Sequence, residues 1–261
     1  MIEPELRHEG GRERRTWILS KLRSVGFLSI NDLARELAVS QMTVRRDLHA
    51  LEATGHVRMV RGGVSLTPDA FHGWTFPEDR NAEGRARIAE HAAGLIGLTD
   101  TIALDAGPTA YALARALPED FRGSVITHSM PVLQLLDERQ AMSRTVALGG
   151  ELLADRHAFV GPTTEAALAQ LRARTFFFSP SAVDIRGTYA RSPAEASVQR
   201  KLIEIADEVV LVATHEMFCS SAPASVAPLC RLTRLVTDRA LPRDLAIALH
   251  RAKVVAHVVS A

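Results

Sequence analysis

The sequence is poor in the residues that mark several classes of protein. Only two of its 261 residues are cysteines, Cys219 and Cys230, and aromatic residues make up 5%. Two cysteines are too few for a disulfide framework. We expect both to be free thiols without a special role, rather than a disulfide or a metal-binding pair. The ten histidines form no spacing of the His-Glu-x-x-His type. The sequence therefore predicts no metal site and no cofactor.

Long apolar runs and a basic-then-apolar leader are also missing, which argues against a membrane protein or a secreted one. We therefore expect a cytoplasmic chain with reduced thiols and no membrane partner. The remaining composition is ordinary for a globular protein, because 47% of the residues are hydrophobic and 23% are charged. A length of 261 residues exceeds that of a typical single domain, so we predict two domains.

Residues 29–55 have the pattern of a helix-turn-helix. Ser29 is placed to cap a first helix, with Asp32 completing a reciprocal capping pair, and Ser40 is placed to cap a second helix that stops at Gly55. Apolar residues recur at helical spacing in both segments: Ile30, Leu33, Leu37, Val44, Leu48 and Leu51. These apolar faces are expected to turn inward.

Two further segments complete a small domain of residues 1–66. Residues 12–25 supply a third helix, whose apolar stripe is Ile18, Leu22 and Val25. Residues 56–60 and 64–66 suit two short strands that turn at Gly62-Gly63, which is the geometry of a wing.

The second helix of the pair is predicted to be a DNA-recognition helix. Such a helix enters the major groove by its N-terminal end, where side chains reach base edges and the helix terminus favours phosphate. Glutamine pairs with adenine, arginine pairs with guanine, and threonine or methionine contacts thymine methyl groups. The candidate DNA-contacting residues are Ser40, Gln41, Met42, Thr43, Arg45 and Arg46 on the helix, and Arg58, Arg61 and Gly62 on the wing.

The alternative is that Arg45 and Arg46 form only a solvated helix face. The distribution of charge favours DNA. Residues 12–65 contain ten Lys or Arg and five Asp or Glu, whereas residues 67–261 contain 20 and 22. The net charge of +1 for the whole chain hides this local surplus, and a local surplus is what neutralises phosphates. We predict double-stranded DNA as a partner and, because one small helix rarely binds tightly alone, a homo-oligomer.

Residues 67–81 contain Pro and Gly residues and show no regular spacing of apolar residues, so we predict a linker. Three aromatic residues are unusual for a free tether: Phe71, Trp74 and Phe76. The favoured interpretation is that they pack on the following domain. The alternative is that they join a dimer contact through which ligand state reaches the DNA-binding domain.

Residues 82–261 alternate helices with short apolar strands. The predicted strands are 101–104, 124–127, 145–148, 175–178, 208–213, one around Val236, and 254–259. The predicted helices are 83–98, 109–116, one near Val132, 163–171 and 194–206. Strands this apolar are covered on both faces, which predicts a Rossmann-like, mostly parallel α/β effector domain.

Small and polar residues follow several of these strands, where α/β sheets bind ligands. Glycine and threonine are common in the turns after strands, so each loop alone is weak evidence. Together the loops indicate a site that can bind an anion. The candidate effector-binding residues are Asp105, Gly107, Thr109, Thr127, Ser129, Gly149, Gly150 and Gly161. We predict a small sugar, polyol or sugar phosphate as the effector.

The run from Val39 to Leu48, followed by Leu51-Glu52, Gly55 and Arg61-Gly62-Gly63, resembles the N-terminal domain of DeoR-family bacterial transcriptional regulators. The similarity extends through a sugar-phosphate-sensing domain to about Asp238. This resemblance implies a ligand-responsive transcriptional regulator that represses its genes. It also adds two acidic residues to the candidate effector site, Asp184 and Glu195.

The chain departs from the family pattern inside the candidate site. Asp-x-Gly-Thr-Thr-Thr is Asp105-Ala-Gly-Pro-Thr-Ala110 here, and Thr-Asn-Ser is Thr127-His-Ser129. The lysine four residues after Glu195 is Gln199, and Asp-x-x-Lys-Phe is Thr214-His-Glu-Met-Phe218. Since the chain has only three lysines, a replacement cation would be an arginine, and Arg186 and Arg191 are the candidates. We therefore expect a less phosphorylated ligand or a site that has lost its inducer.

The rival interpretation is an enzyme, because the same sensing fold resembles ribose-5-phosphate isomerase. Enediol chemistry needs a carboxylate base near a cation. Asp105, Asp184 and Glu195 are candidate bases, but the absence of lysine at positions 199 and 217 favours ligand sensing over turnover.

Overall fold

The computed structural model describes residues 10–25, 27–53, 57–60, 62–66, 81–139 and 141–259. The chain divides into two compact units, one within residues 1–75 and the other within residues 76–261. The predicted stop at Gly55, the predicted contact Arg61 and almost all of the predicted linker, with its three aromatic residues, lie outside the described residues. None of the helices in the described ranges combines the length and the apolar character that crossing a bilayer requires.

The first unit is a winged helix-turn-helix. Its elements are α1 (Gly11–Val25), β1 (Phe27–Ser29), α2 (Ile30–Glu36), α3 (Gln41–Glu52), β2 (Val57–Val60) and β3 (Gly63–Leu66). Strand β3 lies between β1 and β2 and is antiparallel to both. The predicted helices and wing are confirmed. Strand β1 was not predicted, because three residues are too few to show an alternating pattern.

The core of this unit is made of the apolar stripes that recur at helical spacing. Side chains with no exposed surface include Ile18, Leu22, Leu33, Val44 and Leu48. Burying one such side chain stabilises the fold by roughly 2 kcal/mol. These stripes therefore decide which face of α3 turns inward and which is left for a partner.

Both helices of the helix-turn-helix begin after a capping serine. The Ser29 Oγ accepts the Asp32 amide hydrogen at 3.0 Å, and the Ser40 Oγ accepts the Thr43 amide hydrogen at 3.1 Å. The reciprocal half of the first cap differs from the prediction, because the Asp32 carboxylate accepts the Ser29 hydroxyl hydrogen at 2.6 Å. Such caps satisfy amides that have no partner inside the helix.

A buried ion pair joins α1 to α3. Asp47 is 3% exposed, and its two oxygens lie 2.8 Å from the Arg14 Nε and 3.4 Å from an Arg15 Nη. Asp47 is buried whereas Arg45 and Arg46 are exposed, so the ion pair fixes the helix without using the groups that face solvent. Removing one partner of a buried pair leaves the other charge uncompensated.

The second unit is an α/β domain. Its strands are β4 (Thr101–Leu104), β5 (Ser124–Thr127), β6 (Arg144–Ala147), β7 (Glu151–Leu153), β8 (Ala158–Val160), β9 (Ala173–Phe178), β10 (Ala182–Asp184), β11 (Gly187–Ala190), β12 (Ala206–Ala213), β13 (Ala224–Ala227), β14 (Arg234–Thr237) and β15 (Val255–Val258). Its helices are α4 (Ala82–Ala93), α5 (Pro108–Ala116), α6 (Met130–Glu138), α7 (Pro162–Leu168), α8 (Pro193–Ile205) and α9 (Arg243–Arg251), with 3-10 turns at His215–Phe218 and Leu229–Arg231.

A seven-stranded parallel sheet in the order β15-β14-β12-β9-β4-β5-β6 forms the centre of this domain, which confirms the predicted α/β class. The carboxyl-terminal halves of its middle strands are buried, as the consecutive side chains Phe176, Phe177 and Phe178 illustrate. The strand order reverses between β4 and β9. In open α/β sheets such a switch point opens a crevice at the carboxyl ends of the strands.

Several elements of this domain were not predicted. They are the β7–β8 hairpin, the antiparallel sheet β10-β11-β13 and helix α9. The hairpin strands have three residues each, and β7 is largely exposed, so neither carries a clear hydrophobic period. Helix α4 also ends at Ala93 rather than at residue 98, because Gly94 follows it as the C-cap.

We expect Asp47→Ala to destabilise the first unit by about 3 kcal/mol, because it removes the buried carboxylate that the Arg14 and Arg15 guanidinium groups engage. Urea unfolding of the full-length protein, followed by circular dichroism, measures the change. The matched control is Arg35→Ala, which removes an exposed ion pair with Asp32 and should cost less than about 0.5 kcal/mol. Equal effects of the two substitutions would contradict a structural role for Asp47.

Candidate functional site

The first candidate site is the exposed face of α3. Gln41, Met42, Arg45 and Arg46 are exposed, and Met42 is 77% exposed. The inward burial of Val44 and Leu48 turns Met42 and Arg46 outward, and Gln41 is exposed as the first residue of the helix. The face therefore offers two guanidinium groups and one amide near the N-terminus of a helix, which suits the acceptors of guanine, adenine and phosphate.

Ser40 and Thr43 have a structural role in the same turn. The Ser40 hydroxyl caps α3 and lies 3.0 Å from the Thr43 Oγ1, where either hydroxyl can be the donor. Thr43 is only half-buried, so its methyl group still reaches the surface. These two predicted contacts are thus also the groups that hold the helix N-terminus in place.

The wing is attached to the end of α3. The Glu52 Oε1 accepts the Met59 amide hydrogen at 2.8 Å, which links the last turn of the helix to β2. Arg58 is exposed on β2, and Gly62 at the turn has a φ of +86°, a conformation that favours glycine. Glu52 was not predicted to have this role, because a carboxylate at a helix end is ordinarily read as a solvated charge.

A second amide lies beside Gln41. The Gln41 Nε2 donates to the Asn31 Oδ1 at 2.8 Å, although the two residues belong to different helices. Asn31 is exposed at the start of α2 and was not among the predicted contacts. The turn between the helices, which is irregular in sequence, is what brings the two side chains together.

The second candidate site lies at the switch point of the parallel sheet, where Asp105 follows β4. Asp105 is 1% exposed, and its carboxylate accepts hydrogen bonds from the Ala106 amide, the Ser179 amide and the Gln199 side chain at 2.8 to 3.0 Å. The Ser179 bond crosses from β4 to β9. Asp105 therefore ties together the two strands that flank the switch point and helix α8.

His128, where the family pattern has asparagine, packs against this carboxylate. Its Nδ1 lies 2.9 Å from the Phe159 carbonyl oxygen, and its Nε2 lies 3.2 Å from the Asp105 Oδ1. A carbonyl oxygen only accepts, so Nδ1 donates. The substitution thus places an imidazole between the Phe159 carbonyl oxygen and the Asp105 carboxylate.

Thr127 and Ser129 are both fully buried and hold the backbone at the end of β5. The Thr127 hydroxyl donates to the Leu104 carbonyl oxygen at 2.9 Å and accepts the Ser129 amide hydrogen at 3.1 Å. The Ser129 Oγ accepts the Val132 amide hydrogen at 3.4 Å and so caps α6. Both predicted site residues lie at the carboxyl edge of the sheet, and their hydroxyls are used in structural bonds.

Helix α5 begins differently, with a Gly-Pro-Thr sequence. Gly107 precedes Pro108 with a φ of +118°, and no described side chain caps the helix. The Thr109 Oγ1 is buried without a hydrogen-bond partner among the described residues. A buried hydroxyl of this kind costs about 1 to 3 kcal/mol unless a partner satisfies it. This helix terminus therefore has donors to offer.

Helix α7 repeats the arrangement. Gly161 precedes Pro162 with a φ of +91°, again without a side-chain cap among the described residues. Nearby, the Thr164 hydroxyl donates to the Gly149 carbonyl oxygen at 2.8 Å. A Cβ on Gly150 would lie 2.2 Å from that Thr164 Oγ1, so only glycine fits there. The three predicted glycines thus shape one turn around the start of α7.

A cation close to the Gly107 turn is Arg156, which the sequence analysis missed. Its Nε donates to the Glu195 Oε1 at 2.8 Å, and its side chain is 18% exposed. A Cβ built on Gly107 would lie 3.6 Å from an Arg156 Nη, so the guanidinium lies close to the start of α5. The expected replacements do not take this place, because Arg186 is exposed and paired with Asp184, and Arg191 is also exposed.

The unpredicted hairpin is what positions Arg156. The turn between β7 and β8 carries this residue, and the Phe159 amide donates to the His128 carbonyl oxygen at 2.8 Å. The Met130 amide donates to the His157 carbonyl oxygen at 2.9 Å. The hairpin is thus bonded to the carboxyl end of β5, which brings its turn to α5.

The other predicted acidic residue, Asp184, is engaged elsewhere. Its carboxylate accepts hydrogen bonds from the Arg186 side chain and amide, the Gly187 amide and the Tyr189 hydroxyl, all within the β10–β11 hairpin. Burial raises the pKa of Asp184, but these hydrogen bonds outweigh it and hold the pKa below its usual value. The bonds mark Asp184 as a residue that shapes its own turn, separately from the Asp105 cluster.

A second buried carboxylate, Asp238, follows β14 at the same edge of the sheet. It accepts hydrogen bonds from the Asn81 side chain and the His215 amide, both at 2.8 Å. A Cβ on Gly84 would lie 2.8 Å from the Asp238 Oδ2, so glycine permits this approach. Burial raises the pKa of Asp238, but the hydrogen bonds from Asn81 and His215 prevail and lower its pKa below the ordinary value.

Known proteins match both parts of the chain. A model described as the DeoR-like helix-turn-helix domain matches residues 14–68, and one described as the DeoR C terminal sensor domain matches residues 80–239. The transcriptional repressor AccR of Agrobacterium fabrum is 31% identical over 237 residues, which cover 87% of this chain and 89% of AccR. The L-fucose operon activator of Haemophilus influenzae is 29% identical, with 87% and 92% covered.

Solved structures resemble the chain only distantly. Ribose 5 phosphate isomerase A from Neisseria gonorrhoeae superposes with a TM-score of 0.39 and 13% identity, covering 52% of this chain and 53% of the isomerase. At this TM-score the likeness carries no argument about activity.

We expect Asp238→Asn to destabilise the protein at pH 7, with a difference from the wild type that shrinks in acid. Since the folded pKa lies below the unfolded value of about 3.9, ionised Asp238 stabilises the fold above that pH. This stabilisation is lost as the pH falls through the folded pKa. Urea unfolding between pH 7 and pH 3 measures it. The exposed control Asp120→Asn should follow the wild type, and a pH-independent loss for Asp238→Asn would contradict the ionised role.

Proposed function

The chain belongs to the DeoR family of transcriptional regulators, and we propose that α3 makes its DNA contacts and that the carboxyl edge of the parallel sheet holds its effector. It is a DNA-binding regulator whose second unit is a sensor domain. The observation that carries the first proposal is the exposed basic face of a capped helix whose other face is core. The second proposal rests on the buried polar cluster at the switch point.

In the DNA complex, α3 enters the major groove with its N-terminal end. Arg45 and Arg46 reach guanine or phosphate, and Gln41 reads adenine. The amide groups at the start of the helix favour a phosphate beside Ser40. Arg58 on the wing contacts the adjacent backbone or minor groove. Met42 and Thr43 add apolar contacts to thymine methyl groups.

The active form is a symmetric homo-oligomer that binds repeated half-sites. One winged helix buries too little surface for tight specific binding at physiological salt, and a second copy doubles both the area and the phosphate contacts. The regulator acts in the cytoplasm as a repressor, and its effector changes the placement of the DNA-binding units relative to the half-sites.

The effector site is formed by the start of α5, the Asp105 cluster and Arg156. The open amides and the Thr109 hydroxyl suit an anionic or polyhydroxylated ligand, and Arg156 supplies the positive charge that the missing lysines would have given. Gln199 supports this assignment, because its side-chain oxygen is buried without a hydrogen-bond partner among the described residues. A sugar hydroxyl donates well to such an oxygen.

The effector is less phosphorylated than the family norm, because the cation is already paired. Glu195 is 6% exposed and engages the Arg156 Nε at 2.8 Å. A phosphate must compete with this internal carboxylate for the guanidinium, whereas a neutral polyol need not. A sugar or polyol with little negative charge is therefore the preferred class.

The chain senses its ligand and does not convert it. Isomerisation needs a free carboxylate base close to a cation, but Asp105 is fully occupied by hydrogen bonds and positions 199 and 217 are Gln and Met. Incubating the full-length protein with pentose and hexose phosphates should yield no isomer. Turnover above a buffer blank would reverse this assignment.

We expect Arg45→Ala to weaken binding to duplexes selected from a random pool. If Arg45 reads guanine, the loss is about 1 to 3 kcal/mol and is confined to one base pair of each half-site. If it holds phosphate, all duplexes are weakened alike and the salt slope falls by about one. Fluorescence anisotropy at several salt concentrations measures both.

The charge-matched control is Arg172→Ala, which removes an exposed arginine from the sensor unit, where it pairs with Asp207. Its DNA affinity should equal that of the wild type. Unchanged affinity of Arg45→Ala for every duplex would overturn the assignment of α3.

We expect Glu195→Gln to tighten binding of sugar phosphates by roughly tenfold, because the Arg156 guanidinium loses its charged competitor. Calorimetric titration with ribose 5-phosphate, glucose 6-phosphate and the corresponding free sugars measures the change, and free sugars should respond little. The control Glu204→Gln neutralises an exposed carboxylate on the same helix that pairs with Lys201. If Glu195→Gln leaves phosphate affinity unchanged, Arg156 is not the anion-binding cation.

A further inference from the structure

We propose that Asn31 is a specificity-determining residue that positions Gln41 for reading one base pair. This inference rests on the proposed DNA contacts of α3. It goes beyond them by assigning a recognition role to a residue on α2, the helix that is not expected to enter the groove. The observation that carries it is the 2.8 Å hydrogen bond from the Gln41 Nε2 to the Asn31 Oδ1.

The donor and acceptor inventory of the pair explains why the contact matters. A glutamine amide has two N–H donors and one oxygen acceptor. Asn31 takes one of the two hydrogens, which leaves one N–H and the Oε1. Those two groups are what adenine requires in the major groove, since its N7 accepts and its N6 amino group donates. The bond therefore fixes the amide of Gln41 in a state that still reads adenine.

Both ends of the bond stand on fixed backbone. Asn31 is the second residue of α2 and Gln41 is the first residue of α3, and each helix start is held by a serine cap, Ser29 for one and Ser40 for the other. A long glutamine side chain on its own loses rotamer freedom when it binds. The neighbouring asparagine removes part of that cost before DNA arrives.

The contact contributes little to folding. Asn31 and Gln41 are both exposed, so water replaces their bond readily in an altered protein. The Asn31 Nδ2 remains a donor at the start of a helix, where a DNA phosphate is favoured. Asn31 therefore has two separable roles. Its hydrogen bond to Gln41 sets the preference for one base, and its contact with phosphate sets the overall affinity for DNA.

The test compares full-length Asn31→Ala, Gln41→Ala, the double variant and Asn31→Asp with the wild type. Each is offered duplexes selected by the wild type and single-base variants of them. Gln41→Ala should lose the preference for adenine at one base pair of each half-site, by about fivefold to a hundredfold. Asn31→Ala should lose part of the preference at the same base pair, by about threefold or more, and the double variant should resemble Gln41→Ala.

Asn31→Asp separates the two roles. Its carboxylate still accepts the Gln41 hydrogen, so the adenine preference should survive, while the new negative charge beside phosphate weakens all duplexes alike. Glu36→Ala is the control on the same helix, since Glu36 pairs with Lys21 of α1, and it should leave base preference unchanged.

An Asn31→Ala variant with the base preference of the wild type would overturn the inference while leaving the proposed DNA contacts intact. The inference would also be overturned if the two single substitutions changed the preference at different base pairs and their effects added in the double variant. If the wild type itself selects no duplex, the proposed function fails, and the positioning role of Asn31 fails with it. Unfolding curves that match the wild type confirm that the variants report on recognition.

Discussion

The N-terminal amides of a helix need hydrogen-bond acceptors. In this chain some helices have a serine cap as the acceptor, and others have no side-chain cap among the described residues. Within the described ranges, four helices begin after a serine whose hydroxyl accepts an amide hydrogen: Ser29, Ser40, Ser129 and Ser192. Two of these caps lie in the helix-turn-helix and fix the turn that orients α3. A displaced cap would shift the side chains of α3, so the exposed face of this helix depends on the two serine hydroxyl groups.

The helices that begin with Gly-Pro follow the opposite rule. Proline removes one amide that would have needed an acceptor, and the preceding glycine takes a positive φ that brings backbone close to the sheet edge. No described side chain caps α5 or α7, and we propose the start of α5 as a place where the ligand supplies the acceptor. The same edge also holds its own carboxylates, because Asp105 meets His128 and Glu195 meets Arg156. We therefore propose that a ligand entering this edge competes with carboxylates that are already present there.

The sequence predicts those features that depend on residues close together in the chain, and it misses those that depend on contacts between distant residues. Val44 and Leu48 repeat at helical spacing, and Ser40 precedes them, so α3 and its outward face follow from a dozen residues. The buried strands are equally clear, as β9 with three consecutive phenylalanines shows. Arg156 carries no such signal, because it reaches Gly107 through a short exposed hairpin far along the chain. Asn31 was missed for the same reason, since its proposed role depends on a hydrogen bond to Gln41 of the next helix.

Positions 199 and 217, where the family pattern has lysine, are Gln and Met in the sensor domain. A lysine at position 199 would place a cation one helical turn from Glu195, whereas Gln199 donates a neutral hydrogen bond to Asp105 at 3.0 Å. The positive charge comes instead from a hairpin and is neutralised by Glu195. A bound anion must separate that ion pair, and the separated carboxylate must then find another donor in a buried place. A ligand that supplies hydroxyl groups can satisfy Thr109 and Gln199 and leave the ion pair whole, which is why we propose that the site distinguishes hydroxyl pattern more than charge.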